Sequence, residues 1–120
     1  MKTVTSDRIL LLDAKHRRNR LLAQGLEDLG LTVIVANSIA AAVQQLKTTA
    51  EQSAIAHLMI VWDESLFPKE EHPIPPEFNQ ASILITTSSI QTIPLQKFKT
   101  ANLDYITKPF SSSDIIERIN

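Results

Sequence analysis

The sequence contains no cysteine, which excludes disulfides and thiolate metal sites. It has only two glycines, Gly25 and Gly30, and therefore lacks a glycine-rich loop that could cradle a phosphate or a dinucleotide. No apolar run approaches the roughly 20 residues that span a bilayer, and residues 1–8 lack the apolar core of a signal peptide. The formal net charge of -1 gives no overall field that would attract nucleic acid or an anionic membrane. We expect a cytoplasmic domain that contacts neither directly.

The composition indicates one ordinary globular domain. Of the 120 residues, 43% are hydrophobic and 21% are charged, which is typical of a chain with a single core. We therefore expect residues 1–120 to form one domain. The last helical pattern stops at the end of the sequence, earlier than a typical helix would end. We expect this helix to be truncated, or the sequence to be part of a longer protein.

Short apolar runs alternate with longer segments of helical period. This alternation is typical of βαβ units, in which crossover helices join parallel strands. The predicted strands are residues 8–12, 32–36, 58–62, 82–86 and 105–107. The predicted helices are residues 17–29, a segment that begins at Asn37 or Ser38, residues 95–101 and a segment after Ser111. The pattern predicts an α/β fold with a parallel sheet.

The third crossover differs from the others because it is rich in proline. Between Phe67 and Phe78 the sequence has four prolines. Proline lacks a backbone donor and restricts the residue before it, so a long regular helix is excluded. We expect at most one short helical turn there.

Polar side chains stand at the tips of four predicted strands. Asp13 follows the first strand, Asp63 follows the third, and Thr86 ends the fourth. Lys108 follows the fifth strand, which Pro109 terminates. Ligands of open α/β sheets bind at the carboxyl ends of the strands. We therefore expect these side chains to converge there, with the Lys108 ammonium at hydrogen-bonding distance from Asp63.

The order Asp13, Asp63, Thr86 and Lys108-Pro109 resembles the receiver domain of two-component response regulators. The string from Tyr105 to Phe110 carries the most specific part of this resemblance, and the spacing of 22 residues from Thr86 to Lys108 also fits. The resemblance covers nearly the whole chain. It implies a flavodoxin-like fold with five parallel strands in the order 2-1-3-4-5.

The same resemblance implies a signalling role rather than an enzyme. Asp63 would accept a phosphoryl group from a histidine kinase or phosphotransfer protein, and Asp13 and Asp63 would bind Mg²⁺. Thr86 and Lys108 would contact the phosphoryl oxygens. Tyr105 would change rotamer together with Thr86 and so alter the face formed by the predicted helix at residues 95–101, the fifth strand and the last helix. A partner or a second copy of the chain would bind to that face.

The sequence departs from this family next to Asp13. Ala14 stands where the family has a second acid, so the Mg²⁺ site is expected to be weakened, because Mg²⁺ takes oxygen ligands. Together with the shortened crossover, this favours an alternative, a degenerate pseudo-receiver that acts as an interaction module without phosphorylation. Both interpretations stay open. A small flavodoxin-like nucleotide binder is disfavoured, since no loop would cradle phosphate.

Five basic side chains lie between Lys15 and Arg20, at the start of the first helix. Cations there oppose the helix dipole. One interpretation is a solvated surface, and the other is that one of these residues lies over the carboxylates and replaces the missing metal charge. A nucleic-acid patch is disfavoured because no aromatic residues are interleaved.

Overall fold

The computed structural model describes residues 8–50, 58–67, 74–76, 78, 81–89, 91 and 103–119. The strands are β1 (Arg8–Leu12), β2 (Thr32–Ala36), β3 (Leu58–Asp63), β4 (Ser82–Thr87) and β5 (Leu103–Thr107). The helices are α1 (His16–Asp28), α2 (Ile39–Ala50) and α3 (Ser112–Ile119), with a 3₁₀ turn at Glu64–Leu66. The predicted helix near residues 95–101 and most of the proline-rich crossover lie outside the described residues. Within those ranges, no helix is long and apolar enough to cross a membrane.

The five strands form one parallel sheet in the order β2-β1-β3-β4-β5. This confirms the predicted flavodoxin-like fold and strand order. In the register of the sheet, Leu12 pairs with Trp62, and Asp63 pairs with Thr86. The carboxyl ends of β1, β3 and β4 therefore stop at nearly the same level, which brings the polar residues at their tips together.

Two cores form on opposite faces of the sheet, because successive side chains of a strand point to opposite faces. Leu10 and Leu12 of β1 belong to the core that includes Leu46 of α2. Ile9 and Leu11 belong to the core that α1 and α3 cover. All four of these β1 side chains are buried, and complete burial of one stabilises the fold by about 2 kcal/mol. The continuous apolar run of β1 thus reflects burial on both faces.

Helices α1 and α3 approach each other closely at Gly25. A Cβ atom at residue 25 would overlap the side chain of Ser112. Glycine within a helix destabilises it by about 1 kcal/mol relative to alanine. The close approach of Ser112 explains why glycine is nevertheless found at this position. The contact holds the start of α3, and the chain just after Lys108, against α1.

The segment after β3 is anchored by Trp62. The Trp62 side chain is fully buried, and its Nε1 donates a hydrogen bond to the Leu66 carbonyl at 3.0 Å. Its ring meets Phe78 edge to face at a centroid distance of 4.8 Å, and it meets Phe67 in the same way at 6.1 Å. These contacts hold the residues on both sides of the proline-rich segment against the α2 face of the sheet.

Candidate functional site

The four residues that the sequence places at strand tips converge at the carboxyl edge of the sheet. Asp63 ends β3, and Thr86 lies beside it on β4. Lys108 follows β5 and reaches Asp63, with 2.9 Å between Lys108 Nζ and Asp63 Oδ1. Asp13 follows β1, and a shared partner, Arg18, connects it to Asp63. The expected proximity of Lys108 and Asp63 is therefore found.

Asp63 and Thr86 are the most enclosed of these residues, each with 2% of its surface exposed. The Asp63 carboxylate has four partners. Its Oδ1 accepts a hydrogen bond from the Thr86 hydroxyl at 2.7 Å and pairs with Lys108. Its Oδ2 accepts from the Ser65 backbone N–H and from Arg18 Nη2, both at 3.0 Å. Burial opposes ionisation, but the donors from Lys108, Ser65 and Thr86 outweigh it and lower the pKa of Asp63 below its usual value. The carboxylate is therefore charged at neutral pH.

Asp13 is held mainly by Arg18. Arg18 Nε donates to Asp13 Oδ2 at 2.6 Å, and Arg18 Nη2 donates to Oδ1 at 2.8 Å. This is the bidentate geometry in which the planar guanidinium matches a carboxylate. Asp13 Oδ1 also accepts from the Lys15 backbone N–H at 2.8 Å, at the start of α1. Asp13 thus connects the tip of β1 to the first turn of the helix.

Arg18 is the member of the basic run that reaches the carboxylates. Its hydrogen bond to Asp13 raises the pKa of Arg18 above its usual value, so the guanidinium stays cationic. The residue after it, Asn19, is buried and donates from its amide to the carbonyls of Leu11 (3.2 Å) and Ala36 (3.1 Å). These bonds fix the first turn of α1 on the tips of β1 and β2. Arg18 is therefore held in place by its neighbour in the sequence.

Two residues that follow Asp63 complete the network, and sequence reasoning missed both. The Ser65 hydroxyl donates to Asp13 Oδ1 at 3.2 Å and accepts from the Ala14 backbone N–H at 3.1 Å, so it joins the two loops. Glu64 Oε2 lies 3.2 Å from Lys108 Nζ. The local signal was that both residues lie within two positions of an aspartate at a strand tip.

Glu64 also ties this edge of the sheet to the end of β4. It accepts hydrogen bonds from the Thr87 hydroxyl at 2.8 Å and from the Ser88 backbone N–H at 3.0 Å. Burial opposes its ionisation, but Thr87, Ser88 and Lys108 together lower the pKa of Glu64. Lys108 is therefore shared between two charged carboxylates.

The arrangement does not fit a Mg²⁺ ion. Each of the four carboxylate oxygens of Asp13 and Asp63 already accepts at least one hydrogen bond or ion pair from the protein. The Arg18 guanidinium lies between the two carboxylates, and Ala14 supplies no side-chain ligand. Across the described ranges, no group of three or more acidic, histidine or cysteine side chains could hold a metal. Mg²⁺ needs oxygen ligands in near-octahedral geometry, and here the oxygens of both carboxylates already contact protein donors. The arrangement thus differs from the weakened Mg²⁺ site expected from the sequence, which stays a prediction.

The sequence matches no family model and no curated protein, but its fold matches solved structures. A response regulator receiver protein from Sinorhizobium medicae has a TM-score of 0.70 at 21% identity, over 93% of this chain and 90% of that one. A response regulator receiver domain protein from Clostridium thermocellum has a TM-score of 0.70 at 16% identity, and the match covers 94% of this chain and 90% of that one. A chemotaxis response regulator from Vibrio cholerae has a TM-score of 0.62 at 16% identity, and the match covers 98% of this chain and 100% of that one.

The chain has the fold of a receiver domain. The likeness at these identities concerns the fold, and the chemistry of this receiver-fold domain depends on its own residues. Tyr105 pairs with Ile85 across β4 and β5, one residue from the Thr86–Ile106 pair, and 43% of its surface is exposed. The helix that would border it lies outside the described residues. A switch role for Thr86 and Tyr105 therefore stays a prediction.

Proposed function

We propose that this domain is a signal-transduction module of the receiver type and that Asp63 is its phosphoacceptor. The supporting observation is the environment of the Asp63 carboxylate. It is enclosed and ionised at the tip of a central strand, and Thr86 and Lys108 both contact its Oδ1 at 2.7 and 2.9 Å. An aspartate that only caps a loop needs neither a hydroxyl from the neighbouring strand nor a lysine that follows the edge strand.

The reaction needs one nucleophile and a set of donors. A carboxylate oxygen of Asp63 attacks the phosphorus of a phosphohistidine on a histidine kinase or phosphotransfer protein. The P–N bond breaks, the imidazole nitrogen leaves with the electron pair, and an aspartyl phosphate forms. Lys108, Thr86 and Arg18 would donate to the phosphoryl oxygens, since fixed donors and cations stabilise the charge on a transferring phosphoryl group.

An open groove of about 850 Å³ adjoins this site and gives a donor protein access to it. Cationic side chains line one part of it, namely Lys15, Arg17, Arg18 and Lys108. Phe110 lines an apolar part. A phosphorylated donor carries negative charge, so the groove attracts it and steers its approach.

The output would leave through the face that β5 and α3 form with the predicted helix near residues 95–101. Tyr105 is exposed on β5 and lies near Thr86 in the sheet, so a change in the donors around Asp63 would reach it over a short distance. A partner protein or a second copy of the chain would bind there. The switch is then a local change of charge that acts on a protein-binding surface.

A second candidate function is an interaction module that binds partners without phosphorylation. The contact of Arg18 with both aspartates favours it, because the guanidinium neutralises the site that a phosphoryl group would enter. In this case the charged network has a structural role and stabilises the partner-binding face in one state.

Phosphoryl transfer from acetyl phosphate or phosphoramidate distinguishes the two candidates. Mass spectrometry should detect one added phosphoryl group on the wild type and none on Asp63→Asn. Asp104→Asn, which removes an exposed carboxylate on β5, is the matched control and should still be labelled. NMR of Thr86 and Lys108 during beryllofluoride addition gives a second measurement. A wild type that neither labels nor shifts would reject the phosphoacceptor function and leave the interaction module.

A further inference from the structure

Arg18 joins the two aspartates through three short contacts. Its Nε and Nη2 bind Asp13 at 2.6 and 2.8 Å, and the same Nη2 binds Asp63 at 3.0 Å. A nitrogen that both carboxylates contact at once lies between them. The side chain of Arg18 is 41% exposed, whereas those of Asp13 and Asp63 are 10% and 3% exposed. The guanidinium therefore covers the carboxylates from the solvent side.

The charges of the site require a cation at that position. Asp13, Asp63 and Glu64 are three carboxylates in one hydrogen-bonded network, and Lys108 contacts only the last two. Like charges held this closely disfavour ionisation and folding unless a positive charge lies beside them. Without Arg18, Asp13 would have no cationic partner among the described residues.

The backbone places Arg18 specifically. Asn19 is buried and bound to the carbonyls of Leu11 and Ala36, so the first turn of α1 has one position on the sheet. The neighbouring cations Arg17 and Arg20 are exposed, and neither forms an ion pair with Asp13 or Asp63 within the described ranges. The contact thus belongs to one residue of the basic run.

We propose that Arg18 is a built-in counter-ion that takes the place of a divalent metal, so that the site forms without metal and excludes Mg²⁺ while Arg18 is bound. A divalent cation would need the carboxylate oxygens that Arg18 now occupies, because its ligands are oxygens. The proposal holds whether or not Asp63 accepts a phosphoryl group. It is therefore tested by metal binding and stability, separately from labelling.

Calorimetric titration of the apo protein with Mg²⁺ tests the exclusion. The wild type should show no saturable binding at millimolar Mg²⁺. Arg18→Ala should bind Mg²⁺ with a Kd at least about tenfold below the lower limit that the titration sets for the wild type. Arg20→Ala is the matched control, since it removes the same charge two residues later and outside the groove, and it should behave as the wild type does. A wild type that binds Mg²⁺ as tightly as Arg18→Ala overturns the proposal.

Thermal unfolding with EDTA or with Mg²⁺ tests the assembly without metal. The wild type should have the same Tm in both, because its cation is covalently attached. Arg18→Ala should have a lower Tm in EDTA and recover part of the difference in Mg²⁺. A Tm that rises in Mg²⁺ equally for both proteins contradicts the proposal.

A conservative pair keeps the test decisive if Arg18→Ala does not fold. Arg18→Gln removes the charge and keeps much of the side chain, whereas Arg18→Lys keeps the charge as a compact ammonium. Arg18→Gln should gain Mg²⁺ affinity, and Arg18→Lys should stay close to the wild type. Equal Mg²⁺ affinities for the two variants would show that the charge at residue 18 does not exclude the metal.

Discussion

The charged site has two halves that arise in different ways. One half lies on β3, β4 and β5 and consists of Asp63, Thr86 and Lys108, which the sheet brings together directly. The other half lies at the tip of β1, where Asp13 depends on Arg18 from the first turn of a helix. In the strand half, Asp63 and Thr86 are enclosed, whereas in the helix half Asp13 is buried and Arg18 is exposed to solvent. A parallel sheet fixes the first by register, whereas the second depends on how α1 docks.

The largest effect should come from the strand half. Lys108→Ala removes one of the cations that contact the enclosed Asp63 carboxylate. We expect the free energy of unfolding to fall by about 3 kcal/mol, as it does when a buried ion pair is broken. Lys47→Ala, at an exposed position on α2, is the control and should change stability by less than about 0.5 kcal/mol. Urea unfolding measures both. Adding Asp63→Asn to Lys108→Ala should restore stability, and a further loss would contradict this explanation.

The docking of α1 can be broken at Gly25. Gly25→Ala should destabilise the fold by about 1–2 kcal/mol, because the new methyl group overlaps Ser112 and overpacking outweighs the gain in helix propensity. Ser112→Ala removes the nearest atom, so the double variant should be more stable than Gly25→Ala alone. Thermal unfolding of all three measures this. If the single and the double variant lose the same stability, the contact with Ser112 does not cause the destabilisation.

The pH dependence of stability sharpens the comparison on the strand half. The pKa values of Asp63 and Glu64 are lowered in the folded protein. Their stabilisation is therefore fully present above the ordinary carboxyl pKa, about 4, and is lost as the pH falls through the folded values. Asp63→Asn should make the free energy of unfolding less dependent on pH below about pH 4, and an unchanged pH dependence would contradict this assignment. The change should be modest because burial of Asp63 offsets part of the effect of its donors.

The smallest effect should come from Ala14→Asp alone. In the absence of Arg18, a carboxylate at residue 14 should add a direct ligand and tighten Mg²⁺ binding by about tenfold, some 1.4 kcal/mol. With Arg18 present, the new carboxylate should instead pair with the guanidinium, and Mg²⁺ affinity should change little. Titrations of Ala14→Asp, Arg18→Ala and the double variant measure the difference. A tenfold gain in the single variant would show that Arg18 yields readily to the metal.

The prediction of the fold from sequence succeeded where the signal is local. The apolar runs of β1 and β3 and their polar tips are visible in the sequence, and a parallel sheet then places Asp63 beside Thr86. The predicted ends of the strands differ from the observed ones by at most two residues, as at β5, which begins at Leu103. Most of the third crossover and the predicted helix near residues 95–101 lie outside the described residues, so those predictions stay predictions.

The prediction of the site was weaker on the side of Asp13. One of the two interpretations of the basic run placed a cation over the carboxylates, and in the structure Arg18 occupies this position. Lys15 and Arg17 have the same sign of charge and are closer to Asp13 in the sequence than Arg18 is, so neither composition nor spacing could identify Arg18. Ser65 and Glu64 were missed because their partners, Asp13 and Lys108, are distant in the sequence.

The sequence by itself determined the strands, the parallel sheet and the polar tips, because apolar runs and turn residues act over a few neighbouring positions. Only the tertiary structure decided which cation neutralises Asp13 and Asp63. That choice depends on the docking of α1, which Asn19 fixes on two strand carbonyls and Gly25 permits by its lack of a side chain. Pairing across 45 residues, as between Arg18 and Asp63, exists only once the chain has folded.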